Sequence, residues 1–190
     1  VVFRKTESPS LSFENCIDAE GTTTSTKLMT KIALTIAGSD SGGGAGIQAD
    51  LRTFAFHCVH GTCAITCVTA QNTMGVTKVE AMSPDVVTAQ INALGSDLKI
   101  DAVKTGMLLD GSIIEAVAQQ VEKWELKQLV VDPVMVSRAG AQLIDDRAIA
   151  NLREVLFPKA IVVTPNRYEA QLLTGKEIDS LERMQAAAEA

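Results

Sequence analysis

Residues 32–50 read IALTIAGSDSGGGAGIQAD, and three different patterns meet inside them. Ile32 to Ala37 is a short apolar run that suits a buried strand. Ile47, Leu51, Phe54 and Ala55 share one face of a helix that the pattern carries to Cys58. Between strand and helix lies Gly38-Ser39-Asp40-Ser41-Gly42-Gly43-Gly44-Ala45-Gly46. Several glycines let the backbone take φ > 0 and let a ligand approach closely. The helix that follows offers unpaired N–H groups to an acceptor. The common nucleotide signatures do not fit. Gly38 and Gly43 have P-loop spacing, but Gly44-Ala45 stand where Lys and Ser or Thr are required. Gly42 and Gly44 open a GxGxxG whose third glycine position is Ile47. This is a ligand-contacting loop of another kind.

Outward from this stretch, strands and helices alternate. Thr62 to Thr69 is apolar and β-rich. Ser83-Pro84-Asp85 starts a helix, with Ser as cap and Pro at the first position, which runs to about Leu98 and buries Val86, Val87, Ile91 and Leu94. Ala102-Val103 leads into Gly106-Met107-Leu108, and Asp110 opens a helix through Ile113, Ile114, Val117 and Val121. Leu129 to Val131 is a strand ending at Asp132-Pro133, followed by a helix from about Asp145 to Leu156. Ile161 to Val163 is the next strand, ending at Thr164-Pro165-Asn166, and the short helix after it stops at Gly175. Near-continuous apolar strands alternating with helices predict an α/β fold: a three-layer α/β/α arrangement around a mostly parallel sheet. Ligands of such sheets bind at the carboxyl ends of the strands. The distinctive polar stretches fall there: Gly38 to Gly46, Gln71-Asn72, Lys104 to Met107, Asp132 to Met135, and Thr164 to Glu169.

Composition narrows the function classes. The 190 residues are 46% hydrophobic and 21% charged, which suits one soluble domain with a core of aliphatic residues. A net charge of -6 argues against a nucleic-acid partner, which needs a basic face. No apolar run is long enough to span a bilayer, and no secretory signal opens the chain. Cys16, Cys58, Cys63 and Cys67 do not frame loops, and they read as reduced thiols of a cytoplasmic protein. Residues 1–28, rich in Ser and Thr and without periodicity, are expected to be disordered or a non-native extension, with Met29 as the native start and residues 29–190 as the domain. Leu181 to Ala188 reads as a helix with no stop signal after it, so the domain is expected to be incomplete at its C-terminus.

The individual candidates divide by chemistry. Asp50, read as lying in the first turn of its helix, complements the helix N-terminus. Gln71 and Asn72 offer amide donors and acceptors suited to a heteroaromatic edge, or form a turn. Asp132 ends an apolar strand with a carboxylate that can hold Mg2+ near transferring phosphates. Asn166 and Glu169, taken alone, are explained by helix capping. His57, Cys58, His60, Cys63 and Cys67 cross a helix-turn-strand boundary without a CxxC, and small buried hydrophobes describe the cysteines better than a metal site. Neither His57 nor His60 has a nucleophile beside it, so a Ser-His-Asp hydrolase is unsupported.

Together, ALTIAGSDSGGGAGIQADLRTF, VTAQNT, VKTGML, VVDPVM and VTPNRYEA resemble the hydroxymethylpyrimidine and phosphomethylpyrimidine kinases of thiamine biosynthesis, members of the ribokinase-like superfamily. The resemblance runs from about Lys31 to Ala190. It implies ATP- and Mg2+-dependent phosphorylation of 4-amino-5-hydroxymethyl-2-methylpyrimidine and then of its monophosphate. It implies that Gln71 bonds the aminopyrimidine, that Gly38 and Asp50 line its pocket, and that Met107 and Val134 pack on the ring. Asp132, Asn166 and Glu169 are implied on the nucleotide side, with Asp132 and Glu169 toward the metal. It allows a homodimer. Ser41-Gly42-Gly43-Gly44 stands where the family often has Pro-Ser-Gly-Gly. The family's GTGC-type segment, which supplies an anion hole and the catalytic base, is expected beyond Ala190, so no base is assigned and these residues alone are expected to be inactive. Two other readings remain: a pyridoxal-type kinase of the same superfamily, and a non-catalytic pyrimidine-binding module.

Overall fold

A computed structural model describes residues 30–135 and 144–189. The expectation for residues 1–28 lies outside the described residues. A six-stranded sheet has the order β3-β2-β1-β4-β5-β6, formed by β1 (Ile32–Asp40), β2 (His60–Asn72), β3 (Gly75–Ala81), β4 (Ala102–Thr105), β5 (Leu129–Val131) and β6 (Val162–Val163). Every pairing is parallel except β2 with β3. The helices are α1 (Gly46–Phe56), α2 (Pro84–Gly95), α3 (Gly111–Lys123), α4 (Asp146–Asn151), α5 (Arg167–Thr174) and α6 (Leu181–Ala188). No helix among the described residues is long and apolar enough to cross a membrane.

β1 shows why there are two helical layers. Leu34 and Ile36 are fully buried in a cluster with Val87 and Ile91 of α2 and Ile113, Ile114 and Val117 of α3. The intervening Thr35 points to the other face, where its hydroxyl donates to Asp50 of α1 at 2.6 Å. Side chains of a strand alternate between faces, so α1 covers one face and α2 and α3 the other. The expected three-layer α/β/α fold is therefore present. β1 is also where the strand order reverses, with β2 on one side and β4 on the other. That reversal opens a crevice at the strand ends.

Several boundaries differ from expectation for identifiable reasons. β1 continues past Ala37 to Asp40, through an irregularity in its pairing with β2 between Ala37 and Ser39. β3 was not expected. All of its residues are exposed, so it lacks the half-buried alternation that marks a strand, and it follows a turn in which Asn72 Oδ1 accepts from Met74 and Gly75. Val86 is 45% exposed, whereas Val87 and Ile91, four apart on one face of α2, are buried. α1 stops at Phe56, and Cys58 takes φ 55. The helix expected to reach Leu156 ends as α4 at Asn151, then widens into a π-turn over Leu152–Leu156 and a 3-10 turn over Phe157–Lys159. Pro158 in that last turn has no N–H to continue an α-helical ladder. Gly175 caps α5 in the left-handed conformation, as the sequence predicts.

The β1–α1 joint depends on Gly46. Its φ is +57, and a Cβ there would collide with the carbonyl oxygen of Gly38. Gly46→Ala is expected to lower unfolding stability by about 3 kcal/mol or more, from backbone strain plus a collision that backbone atoms cannot relieve. A urea unfolding midpoint within error of the parent protein would contradict this.

Candidate active site

The glycine loop is organised by Asp40, the last residue of β1 and only 5% exposed. Its carboxylate accepts from the backbone N–H groups of Gly42 at 2.8 Å and of Gly44 and Ala45 at 2.9 Å. Its carbonyl accepts from Gly43, and its own N–H donates to Gln48 Oε1, whose amide in turn donates to Ser39 Oγ. Each bond to the ionised carboxylate contributes on the order of 1.5–3 kcal/mol. The N–H groups of the loop at Gly42, Gly44 and Ala45 are thus filled from within, whereas α1 itself has no side-chain cap at its N-terminus. The loop forms a wall ordered around Asp40. Ser41 Oγ donates to the Gln71 carbonyl at 2.7 Å and accepts from the Gln71 N–H at 2.8 Å, which ties this wall to the end of β2.

Three expected substrate residues gather beside it. Gly38 is buried, and a Cβ there would lie 2.7 Å from Cys67 Sγ and 3.7 Å from Met107 Cε. Met107 is half-buried just past β4, its carbonyl accepting from Thr66 Oγ1 at 2.6 Å. Gln71 Oε1 lies 3.1 Å from Thr69 Oγ1. Its Nε2 takes part in none of the hydrogen bonds among the described residues.

A second group is charged. Asp50 lies in the second turn of α1, not the first, and it does not complement the helix N-terminus. Instead Lys104 of β4 holds both its oxygens at 3.0 and 3.1 Å, while Thr35 donates to it from β1. The same ammonium lies 3.6 Å from Asp132 at the exit of β5. Burial pushes the Asp132 carboxyl above its usual range, helped by the nearby charges of Glu169 and Asp50 and opposed by Lys104.

The third group joins the exits of β5 and β6. Asn166 caps α5 with Oδ1 accepting from Glu169 N at 3.0 Å, and Glu169 Oε2 accepts from Asn166 N at 2.9 Å, completing a capping box. Glu169 is 2% exposed, and its Oε1 accepts from Met135 N at 3.0 Å. Between Asp132 and Met135, Val134 has φ 40. A β-branched residue there is an outlier whose strain is of order 1–3 kcal/mol, and it persists only when its surroundings over-determine it.

Asp132 fits a magnesium site best among these groups. It is a half-exposed carboxylate, and Mg2+ is commonly held by one or two carboxylates plus substrate phosphates. Glu169 is enclosed and already accepts two backbone N–H groups, so it would act on a metal through its charge or a water. Cys58, Cys63 and Cys67 are free thiols, and burial pushes those of Cys63 and Cys67 up. Among the described residues no group of three or more His, Cys, Asp and Glu is arranged to hold a metal. Sequence reasoning gave no role to Asp40 or Lys104. An aspartate directly ahead of a glycine run, and a lysine inside an apolar strand, were the available signals.

The fold is that of the ribokinase-like small-molecule kinases. The phosphomethylpyrimidine kinase from Clostridium difficile 630 superposes with a TM-score of 0.80 at 44% identity, over 84% of this chain and 69% of that one. The pyridoxal kinase of Staphylococcus aureus, solved with AMP-PCP and pyridoxal, gives 0.75 at 36% identity, over 85% and 58%. Residues 40–190 match the phosphomethylpyrimidine kinase family model, and the chain belongs to that family. A Synechococcus elongatus hydroxymethylpyrimidine/phosphomethylpyrimidine kinase is 64% identical over 157 residues, or 83% of this chain. The chain spans 59% of that relative's length.

The raised carboxyl gives a stability prediction. The folded protein holds the Asp132 proton more tightly than the unfolded chain does. That contribution is complete below the unfolded value of about 3.9 and is lost as pH rises through the higher folded value. Ionised Asp132 is therefore a stability cost at neutral pH. Asp132→Asn is expected to raise the melting temperature at about pH 7, with the gain shrinking on acidification. A lower melting temperature at neutral pH would refute it.

Proposed function

We propose that the protein transfers the γ-phosphoryl group of ATP to the hydroxymethyl oxygen of 4-amino-5-hydroxymethyl-2-methylpyrimidine, and then phosphorylates the monophosphate, in cytoplasmic thiamine biosynthesis. The observation that carries this reading is the division of the strand ends. A neutral wall of Gly38, Gln71 and Met107 lies at β1, β2 and β4, and carboxylates lie at the exits of β5 and β6. A flat aminopyrimidine suits the first half, with Gln71 Nε2 donating to the ring edge and Met107 and Val134 packing on its faces. Asp50 takes part through Lys104, which it holds in place. The second half takes the nucleotide, with Asp132 holding Mg2+ and Asn166 and Glu169 beside it. Bound Mg2+ supplies charge neutralisation for phosphates in transfer, and catalysis of this kind is mainly positioning and electrostatics. The reading includes a homodimer, with the exposed β3 edge and its Val76 and Val79 as the surface a second copy would cover.

The test is turnover of each ring by the full-length protein. Hydroxymethylpyrimidine is expected to be phosphorylated with a higher kcat/KM than pyridoxal. Gln71→Ala is expected to raise the pyrimidine KM about tenfold, the loss of roughly one hydrogen bond, with kcat less affected. Preference for pyridoxal would transfer the assignment to the ring of the S. aureus relative. Pyrimidine binding without turnover would leave a binding module. No Gly-Thr-Gly-Cys segment occurs in the 190 residues, and assayed alone they are expected to show no ATP-dependent phosphorylation. Product formation by them would place the base within the sequence.

A further inference from the structure

We infer that Glu169 is a positioning residue for the pyrimidine: its buried carboxylate locks the backbone turn that aims Val134 at the ring. The inference rests on the functional reading above, because it assumes a ring that Val134 packs against. Its evidence is separate and lies in the backbone. Val134 sits at φ 40, a conformation that a valine does not choose. The turn is held on both sides. Upstream, Val131 is paired with Thr105 of β4 and Val163 of β6, and the ring of Pro133 restricts its own backbone. Downstream, Met135 is fully buried in the core, and its N–H donates to Glu169 Oε1 at 3.0 Å. Glu169 is itself fixed, because Oε2 accepts from Asn166 N and its own N–H donates to Asn166 Oδ1. One carboxylate thus pins the β5 exit to the start of α5 through two backbone donors, across 34 residues of sequence.

The chemistry of this clamp makes it separable from metal binding. Two N–H groups pointing at one side chain require two acceptors. Glutamine keeps the shape but supplies one acceptor and one NH2, so one of the two N–H groups would face another donor. The turn would then be free to relax, and Val134 would move off the ring, without loss of any group that touches the pyrimidine.

The experiment is equilibrium binding of the pyrimidine to the full-length protein by calorimetry, without ATP or Mg2+, for the parent, Glu169→Gln, Val134→Ala and the double variant. Glu169→Gln is expected to weaken binding about tenfold or more, since small misplacements of a binding group are costly. The double variant is expected to bind no worse than the weaker single one, because both changes remove the same contact. Unchanged metal-free affinity in Glu169→Gln, or strictly additive losses, would overturn the inference. If the parent binds pyridoxal in place of the pyrimidine, the functional reading fails alone, and the same cycle with pyridoxal decides the role of Glu169. A parent that binds neither ring overturns both. Should Glu169→Gln not fold, Val134→Gly decides. Glycine accepts this φ, so the variant is expected to melt higher yet bind the ring more weakly. Lower stability, or intact ring binding, would sink the inference.

Discussion

A carboxylate that is almost wholly buried must find donors, and Asp40 finds them in the loop that follows it. Three backbone N–H groups converge on one side chain, so the loop cannot open without stranding a charge inside the protein. This constraint spreads. It fixes the entry angle of α1, which carries Asp50 to Lys104. It sets the height of Ser41, which bonds both backbone groups of Gln71. The close passage of Gly46 over the Gly38 carbonyl is the same constraint seen from the backbone. The glycines therefore serve a rigid structure. They allow a tight path around a fixed carboxylate.

What could be read from residue order follows from the range of each interaction. The strands of the central sheet were legible because burial on both faces writes continuous apolar runs, as in IALTIA and LVV. Helix starts were legible because capping is local: Ser83, Asp110, Asp145 and Asn166 all bond N–H groups two or three residues ahead. β3 left no trace, since a strand with two exposed faces carries no pattern. Asp50 was misread because its partner Lys104 lies 54 residues away and its charge has two plausible uses until the sheet order is known. The double role of Glu169 was half legible. Its capping box is local, but its bond to Met135 is not.

Charge placement follows the same logic of distance. Asp50, Lys104 and Asp132 come from α1, β4 and the exit of β5, and together they carry one more negative charge than positive. Lys104 is closer to Asp50, which leaves Asp132 incompletely neutralised and its carboxyl raised by burial. A site that keeps an ill-compensated carboxylate at neutral pH sacrifices stability there, and strongly perturbed groups of this kind cluster at functional sites.

Strain and ill-compensated charge occur within three residues of each other, at Asp132 and Val134, and both are held from behind by well-packed structure. Val131 and Met135 are fully buried and flank the pair. Such an arrangement makes sense physically only where the core is rigid enough to hold it, because a loosely packed exit would relax valine out of the left-handed region and let the aspartate turn to solvent. Glu169 supplies the rigidity that packing alone lacks. A hydrogen bond to a buried carboxylate is directional, whereas apolar contact tolerates sliding. The acid that the sequence would place at a metal is, in this arrangement, also the strut of the turn that presents the neighbouring residues. One buried side chain thus couples the exit of β5 to the start of α5.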